Sequence, residues 1–311
     1  MLRYVGDTTL AAEAQQKAEA QRQAVRAQWA GRWFRRAWLP TNQDWIGNEQ
    51  IWLEPQPWAI IGGAATPPQT HELVRAIDEL VRKPSPIGAM LQSKGIKLEG
   101  LEPGNFANAG VWPSINATLI WALSLADPKL AWDEWKKNTF ARHAEVYPEV
   151  WYGIWSGPDY YNSTLSKHPG QTFFADPPPG KTPAGLRIFW TDYPVMNMHP
   201  HSCTLLGAAK LAGVEFTAKG VRLTPALPME SFQFRSPLVG LSTTPSGYEG
   251  WYEPAVAGDW VVELRVPPEE KNRFRKVSGN GKRRDLARGA GEVIKFQGSS
   301  ARGKPLRWAV R

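Results

Sequence analysis

The chain reads as an α+β multidomain protein, helical to about residue 213 and built of short strands over 214–311. Up to Gly213, apolar residues recur at helical spacing in segments bounded by Pro and Gly. Beyond it they fall in short β-like runs such as Phe232–Phe234, Val239–Leu241 and Trp260–Val266. Helices that all precede the strands, with no repeat of fixed period, indicate two segregated domains with a boundary near 214–225.

Residues 8–30 lack Pro and Gly and are rich in Ala, Gln, Glu and Arg, with Asp7 as N-cap and Gly31 past the end, so they predict the first helix. The segment 31–56 is aromatic and turn-rich. An apolar helix follows over 57–65, and an amphipathic one over 69–82 with Leu73, Ile77 and Leu80 on one face, ended by Pro84 and Pro86. Further helices are expected over 113–126, 129–140 and 194–212. The stretches 83–112 and 142–193 read as long loops, which carry function or are disordered. The aromatics of Val150–Trp155 and Arg187–Trp190 favour order.

With 42% hydrophobic and 21% charged residues, wholesale disorder is excluded. Sixteen tryptophans are unusual; indole suits both large cores and clefts that stack on sugar rings. The single Cys203 rules out an intramolecular disulfide framework and a Cys-based zinc cluster. No leader-like segment or membrane-length apolar run is read, so a cytoplasmic protein is expected. Residues 271–311 carry 13 Lys/Arg against Asp285 and Glu292. Such a tail invites a nucleic-acid reading, but its charges are interleaved with Val277, Ile294, Phe296, Leu306 and Trp308, as on a solvated sheet face.

Within this frame, Trp33-Phe34-Arg35-Arg36-Ala37-Trp38, Asp44-Trp45-Ile46-Gly47-Asn48-Glu49 and Ile51-Trp52-Leu53-Glu54-Pro55-Gln56-Pro57-Trp58-Ala59 form an ordered series. The series resembles glycoside hydrolase family 94, the cellobiose phosphorylase-like proteins, with its "W-Y-x-R-A" and "I-W-L-x-P-Q-x-W-A" segments. Glu102-Pro103-Gly104, Asn108–Trp112 (the family's "E-N-G-G-I-Y") and Leu223–Pro228 extend the likeness over roughly 20–265. It implies that residues 1–213 are the C-terminal half of an (α/α) six-hairpin barrel, or α/α toroid, and that 214–311 form a jelly-roll-like β-sandwich. The expected activity is on β-linked gluco-oligosaccharides or β-glucan. The remaining barrel helices would come from a missing N-terminal half or a partner chain, and a homo-oligomer is one way to supply them.

Breaking a glycosidic bond needs a carboxylic acid on the leaving oxygen and a carboxylate or phosphate opposite. The family's acid lies in a "D-W-N-D" segment that has no match here. Its phosphate site is altered at Ala107, Ser114 and Met198-His199, so the resemblance implies hydrolase or transglycosylase chemistry rather than phosphorolysis. Acting alone, the chain offers Glu54, Glu102 and Asp44 as catalytic candidates, since a carboxyl desolvated beside an indole suits acid catalysis. Glu54 and Glu102, each ahead of a proline, have a plainer role as acceptors for loop amides. Trp33, Arg35, Arg36, Gln56, Trp58, Trp112, Trp155, His199 and His201 are the candidate sugar-binding residues, through stacking and forked hydrogen bonds. His199 and His201 lack a third ligand, so no metal or other cofactor is expected. A non-catalytic carbohydrate-binding or scaffold fragment is the alternative. An oligosaccharide or polysaccharide is the expected partner, with neither membrane nor nucleic acid.

Overall fold

The computed structural model describes residues 5–97, 101–150, 158–172, 198–267, 270, 273–285 and 292–311. The chain divides into two compact units, one of Thr8–Ala208 and one built on Ala209–Arg311. The mixed α+β class expected from the sequence is observed.

The helical unit contains α1 (Thr8–Arg26), α2 (Gln56–Ile61), α3 (Pro67–Ile77), α4 (Pro113–Ala126), α5 (Pro128–Lys137), α6 (Phe140–Val146) and most of α7 (Met198–Leu211). Local chemistry sets the boundaries. Thr66 and Gln69 form a reciprocal capping box ahead of α3, Asp127 accepts the Lys129 and Leu130 amides to open α5, and Thr139 accepts the Arg142 amide to open α6. That last cap corrects two expectations. The helix read as 129–140 stops at Lys137, and the first turns of the stretch read as a loop from 142 are helical. The first helix stops at Arg26, because Trp29 turns back to pair with Phe34, ring centroids 5.0 Å apart. Helix α1 buries no residue; Arg22 and Arg26 tie it to the Gly62 and Ala64 carbonyls beyond α2.

Helix α4 is the hub. Its Leu119, Ile120, Ala122 and Leu123 are buried, and α2, α3 and α5 pack on it. The helix contacts run α1–α2–α4–α5–α6 and do not close a ring among the described residues. After α3 the chain makes one π-helical turn, Asp78–Arg82, which sends Arg82 inward at 1% exposure. There it meets Asp78, Asp133 and the fully buried Glu134, whose other oxygen accepts the Ala89 amide at 2.7 Å. A buried guanidinium persists only when its charge and donors are answered in this way.

The described residues of the stretch 83–112 form a ladder. Leu53 donates to Leu91, Leu91 to Gly110 and Val111 to Tyr161, each at 2.8 Å, so extended backbone satisfies itself without a long strand.

In the second unit a six-stranded sheet has the order β10 (Lys282–Asp285), β9 (Lys276–Gly279), β12 (Leu306–Val310), β7 (Gly247–Tyr252), β6 (Val239–Thr244), β5 (Phe232–Arg235). A four-stranded sheet has the order β11 (Val293–Ser300), β8 (Gly258–Arg265), β4 (Gly220–Leu223), β3 (Val214–Thr217), with β4 and β8 parallel. Val239, Leu241 and Tyr252 of one sheet and Val221, Leu223, Val262 and Leu264 of the other share a single core. In the basic tail Val277, Ile294, Phe296 and Trp308 are buried while Lys276, Lys295 and Arg307 alternate outward, the solvated face expected from the pattern.

Candidate functional site

The aromatic segment 31–56 folds around a small hairpin. Strands β1 (Ala37–Leu39) and β2 (Asp44–Ile46) pair through a four-residue turn, Pro40–Gln43, and the register sets Trp38 opposite Trp45, ring centroids 5.4 Å apart. Gly47 follows at φ +96°, with its Cα so placed that a Cβ would stand 3.1 Å from the Arg36 amide. Glycine is what allows the chain to turn there. The Gly47 carbonyl accepts the Trp33 indole N–H at 2.7 Å.

Two guanidinium–indole layers result. Arg35 stands 5.7 Å from the Trp45 ring centroid and donates to Asn48 Oδ1 at 2.8 Å, while Asp44 Oδ1 accepts from the Trp45 amide and from Asn48. Arg36 lies 4.4 Å above the Trp52 ring and pairs with Glu54 Oε2 at 2.7 Å. Stacked guanidinium is planar and weakly hydrated, so it leaves donors free to read vicinal hydroxyls or a carboxylate. Beneath them Gln56 is fully buried: Oε1 accepts the Phe34 amide at 3.0 Å, and Nε2 donates to the Phe34 and Trp52 carbonyls, both at 2.8 Å.

Trp33, Arg35, Arg36, Asp44, Glu54 and Gln56 are thus gathered in one neighbourhood. Trp58 stands outside these contacts, 53% exposed on α2 and edge-on to Trp121 at 6.2 Å. Glu102 and Trp112 belong to a second neighbourhood, joined to Trp52 through the Trp52–Gln92 and Met90–Val111 bridges. Glu102 pairs with Lys167 at 3.0 Å, and Trp112 stacks on Tyr160 at 5.5 Å while its indole donates to the Phe106 carbonyl. Phe106 and Ala109 hold left-handed backbone there, φ +48° and +70°, a conformation that non-glycine residues adopt at a cost of about 1–2 kcal/mol. Trp155 and the side chains of His199 and His201 lie outside the described residues.

The desolvated setting expected for the carboxylates is not what the structure provides. Glu54 and Asp44 are exposed, and Glu54 and Glu102 are ion-paired. Trp45, Trp52 and Asn48 lie in the family-like segments but were not marked as site residues, and Lys167 was not marked at all. The alternation on either side of Pro40–Gln43 was the available signal for the first, since a hairpin there sets residues 38 and 45 side by side; Lys167 is distant in sequence and had none. Among the described residues, no group of three or more His, Cys, Asp or Glu side chains could hold a metal, and no helix is long and apolar enough to cross a membrane.

No family model matches the chain. A cellobionic acid phosphorylase from Neurospora crassa is 35% identical over 86 residues, which is 26% of this chain and 11% of that protein. Among solved structures, a GH127 β-L-arabinofuranosidase from Geobacillus stearothermophilus T6 aligns over 84% of this chain and 42% of its own, at 10% identity and a TM-score of 0.25. A glycoside hydrolase aligns over 83% and 46%, at 13% identity and a TM-score of 0.27. The chain therefore spans less than half the length of these proteins, and superpositions this loose fix neither fold nor chemistry.

Proposed function

We propose that the protein is carbohydrate-active and acts on β-linked gluco-oligosaccharides or β-glucan, as a glycoside hydrolase or transglycosylase rather than a phosphorylase. The observation that carries this reading is the double guanidinium–indole layer, Arg35 on Trp45 and Arg36 on Trp52, beside the carboxylates of Asp44 and Glu54. Flat apolar faces flanked by forked donors and carboxylate acceptors are what a pyranose ring, apolar on its faces and hydroxylated at its rim, requires. The 86-residue likeness to a cellobionic acid phosphorylase supports the same substrate class. In this reading the helical unit is a half of an (α/α) barrel, the other unit is jelly-roll-like, and the setting is cytoplasmic.

Trp33, Arg35, Arg36, Trp58 and Trp112 supply the sugar-facing wall, with Trp155, His199 and His201 as further contributors. Gln56 serves it from beneath, by fixing the Trp33–Arg36 backbone. Glu54 is the first candidate for acid–base work, because the Arg36 pair fixes its position beside the stacked layer; Asp44 and Glu102 follow. The ion pairs at Glu54 and Glu102 favour the second reading, a wall that binds sugar without cleaving it.

Incubation of the chain with cello-, sophoro- and laminari-oligosaccharides, with and without phosphate, separates these. Phosphate-independent products that disappear in Glu54→Gln support the hydrolytic reading. Binding without turnover establishes the second, and sugar phosphate formation refutes the exclusion of phosphorolysis.

A further inference from the structure

The solvent side of the six-stranded sheet carries a cleft of about 400 Å³, built from two cross-strand rows of side chains. In one row the register aligns Arg307, Trp251, Gly240 and Arg235 on β12, β7, β6 and β5. In the other it aligns Glu249, Ser242 and Gln233 on β7, β6 and β5. Gly240 is the key to the first row. A Cβ there would run into the Trp251 indole, so its absence lets the ring lie across strand β6 instead of standing off the sheet. The result is an aromatic platform, partly exposed, on an otherwise polar face.

Arg235 and Arg307 bracket that platform. They sit three strand steps apart, about 14 Å between backbones at ordinary sheet spacing. Both are exposed, and neither is paired with a carboxylate among the described residues. Glu249 is already matched by Arg311 at 3.1 Å, and Gln233 donates to Ser242 at 3.2 Å, which presents a short strip of neutral acceptors and donors beside the ring. The face is cationic at its ends, flat and apolar at its centre and hydrogen-bonding along one side.

We propose that this cleft binds a short acidic oligosaccharide, one sugar ring lying on Trp251, its carboxylate held by Arg235 or Arg307, and its hydroxyls met by Gln233, Ser242 and Glu249. A carboxylate matches a guanidinium fork in two parallel bonds. The volume suits a ligand of one or two rings rather than the extended track that single-stranded nucleic acid needs. The site lies within the β unit and stands whether or not the hairpin face of the helical unit binds sugar.

Calorimetric titration of the full chain with a glucuronate-terminated disaccharide, cellobiose and a ten-nucleotide oligothymidylate tests it. The acidic disaccharide is expected to bind at least about tenfold more tightly than cellobiose, since a charge-assisted pair to guanidinium adds that much or more. Arg235→Ala with Arg307→Ala should bring the acidic sugar down to the affinity of cellobiose, and Trp251→Ala should abolish its binding, while Trp251→Phe retains part of it. These side chains are exposed or half-exposed, and an unchanged circular dichroism melt shows each variant folded. Equal affinity for the acidic and neutral sugars, tighter binding of the oligonucleotide, indifference to the arginine pair, or no binding at all would each overturn the proposal.

Discussion

Replacing Gln56 by Leu tests whether the sugar-facing wall is held from beneath. The amide makes three bonds from a fully buried position, all to backbone: one to the Phe34 N–H and two from Nε2 to the Phe34 and Trp52 carbonyls. Leucine fills nearly the same volume, so little cavity is created and the loss is chiefly polar. One orphaned buried N–H costs about 1–3 kcal/mol, and the two carbonyls that lose donors cost about 0.5–1.5 kcal/mol each, for roughly 2–6 kcal/mol in all. In a unit of this size each kcal/mol moves the midpoint by about 2–4 °C, so the helical unit should melt about 10 °C lower by circular dichroism at 222 nm. Gln56→Glu sharpens the test. Ionised, its carboxylate faces two carbonyls without a donor, so burial raises its pKa in the folded state; protonated, it donates again. Its stability is therefore fully present below the unfolded value of about 4.3 and is lost as pH rises through the folded value, making this variant relatively better at pH 4 than at pH 7. A midpoint shift under 2 °C for Gln56→Leu, or no relative rescue of Gln56→Glu by acid, would refute the support of the wall by Gln56.

Glu134→Gln keeps an acceptor for the Ala89 amide but removes the charge facing Arg82 and Asn138, and should destabilise the helical unit by about 2–3 kcal/mol in urea titration. Gly47→Ala forces a left-handed backbone on alanine against the Arg36 amide, and should cost about 1–3 kcal/mol while weakening oligosaccharide binding through the displaced Arg36 and Asn48. Trp58→Ala, at an exposed ring, should leave the melting midpoint within about 2 °C and still lower oligosaccharide affinity in calorimetry. His143 is buried against Tyr161 at 4.2 Å with Nε2 on the Gly170 carbonyl, and desolvation holds its pKa below the usual value. The unfolded chain then takes up a proton first, so stability falls as pH drops below about 6.5 toward the folded value. Urea midpoints of the wild type should decline from pH 7.5 to pH 5.0, more steeply than those of His143→Phe.

Much of the architecture was legible because it rests on local chemistry. Pro113 at the first turn of α4 and the switch at Gly213 from helical spacing to short runs are signals a single window carries, as is the alternation of Val277, Ile294, Phe296 and Trp308 with basic residues. What was lost was short or compensated. Three-residue strands 37–39 and 44–46 are too brief for periodicity to register, and the bridges among residues 52, 92, 111 and 161 are single pairings between distant loops that no window can see. The buried Arg82 shows the same limit from the charged side. On a helix it reads as solvated, and only the π-turn, with Asp133 and Glu134 some fifty residues on, brings it inside.

The candidate site divides along that same line. Residue type and order were enough to mark Trp33, Arg35, Arg36 and Gln56 as belonging together, because the chain returns on itself within 25 residues. They were not enough to assign roles, since a role depends on what a side chain has left to offer after folding. Gln56 spends its amide on Phe34 and Trp52 and has none for a ligand, whereas Trp45, which lies in the Asp44–Glu49 segment but was given no role there, presents a face that Arg35 already stacks on. The same reasoning ranks the carboxylates. Glu54 and Glu102 are each paired with a cation, so a proton-transfer role for either requires the incoming sugar to displace Arg36 or Lys167 from its oxygen. Arg36 already stacks on the Trp52 ring at 4.4 Å, so its guanidinium keeps that contact when a sugar hydroxyl takes its place on Glu54. Release of Glu54 therefore leaves Arg36 held, and it is at Glu54 that the proposed acid–base role is tested first.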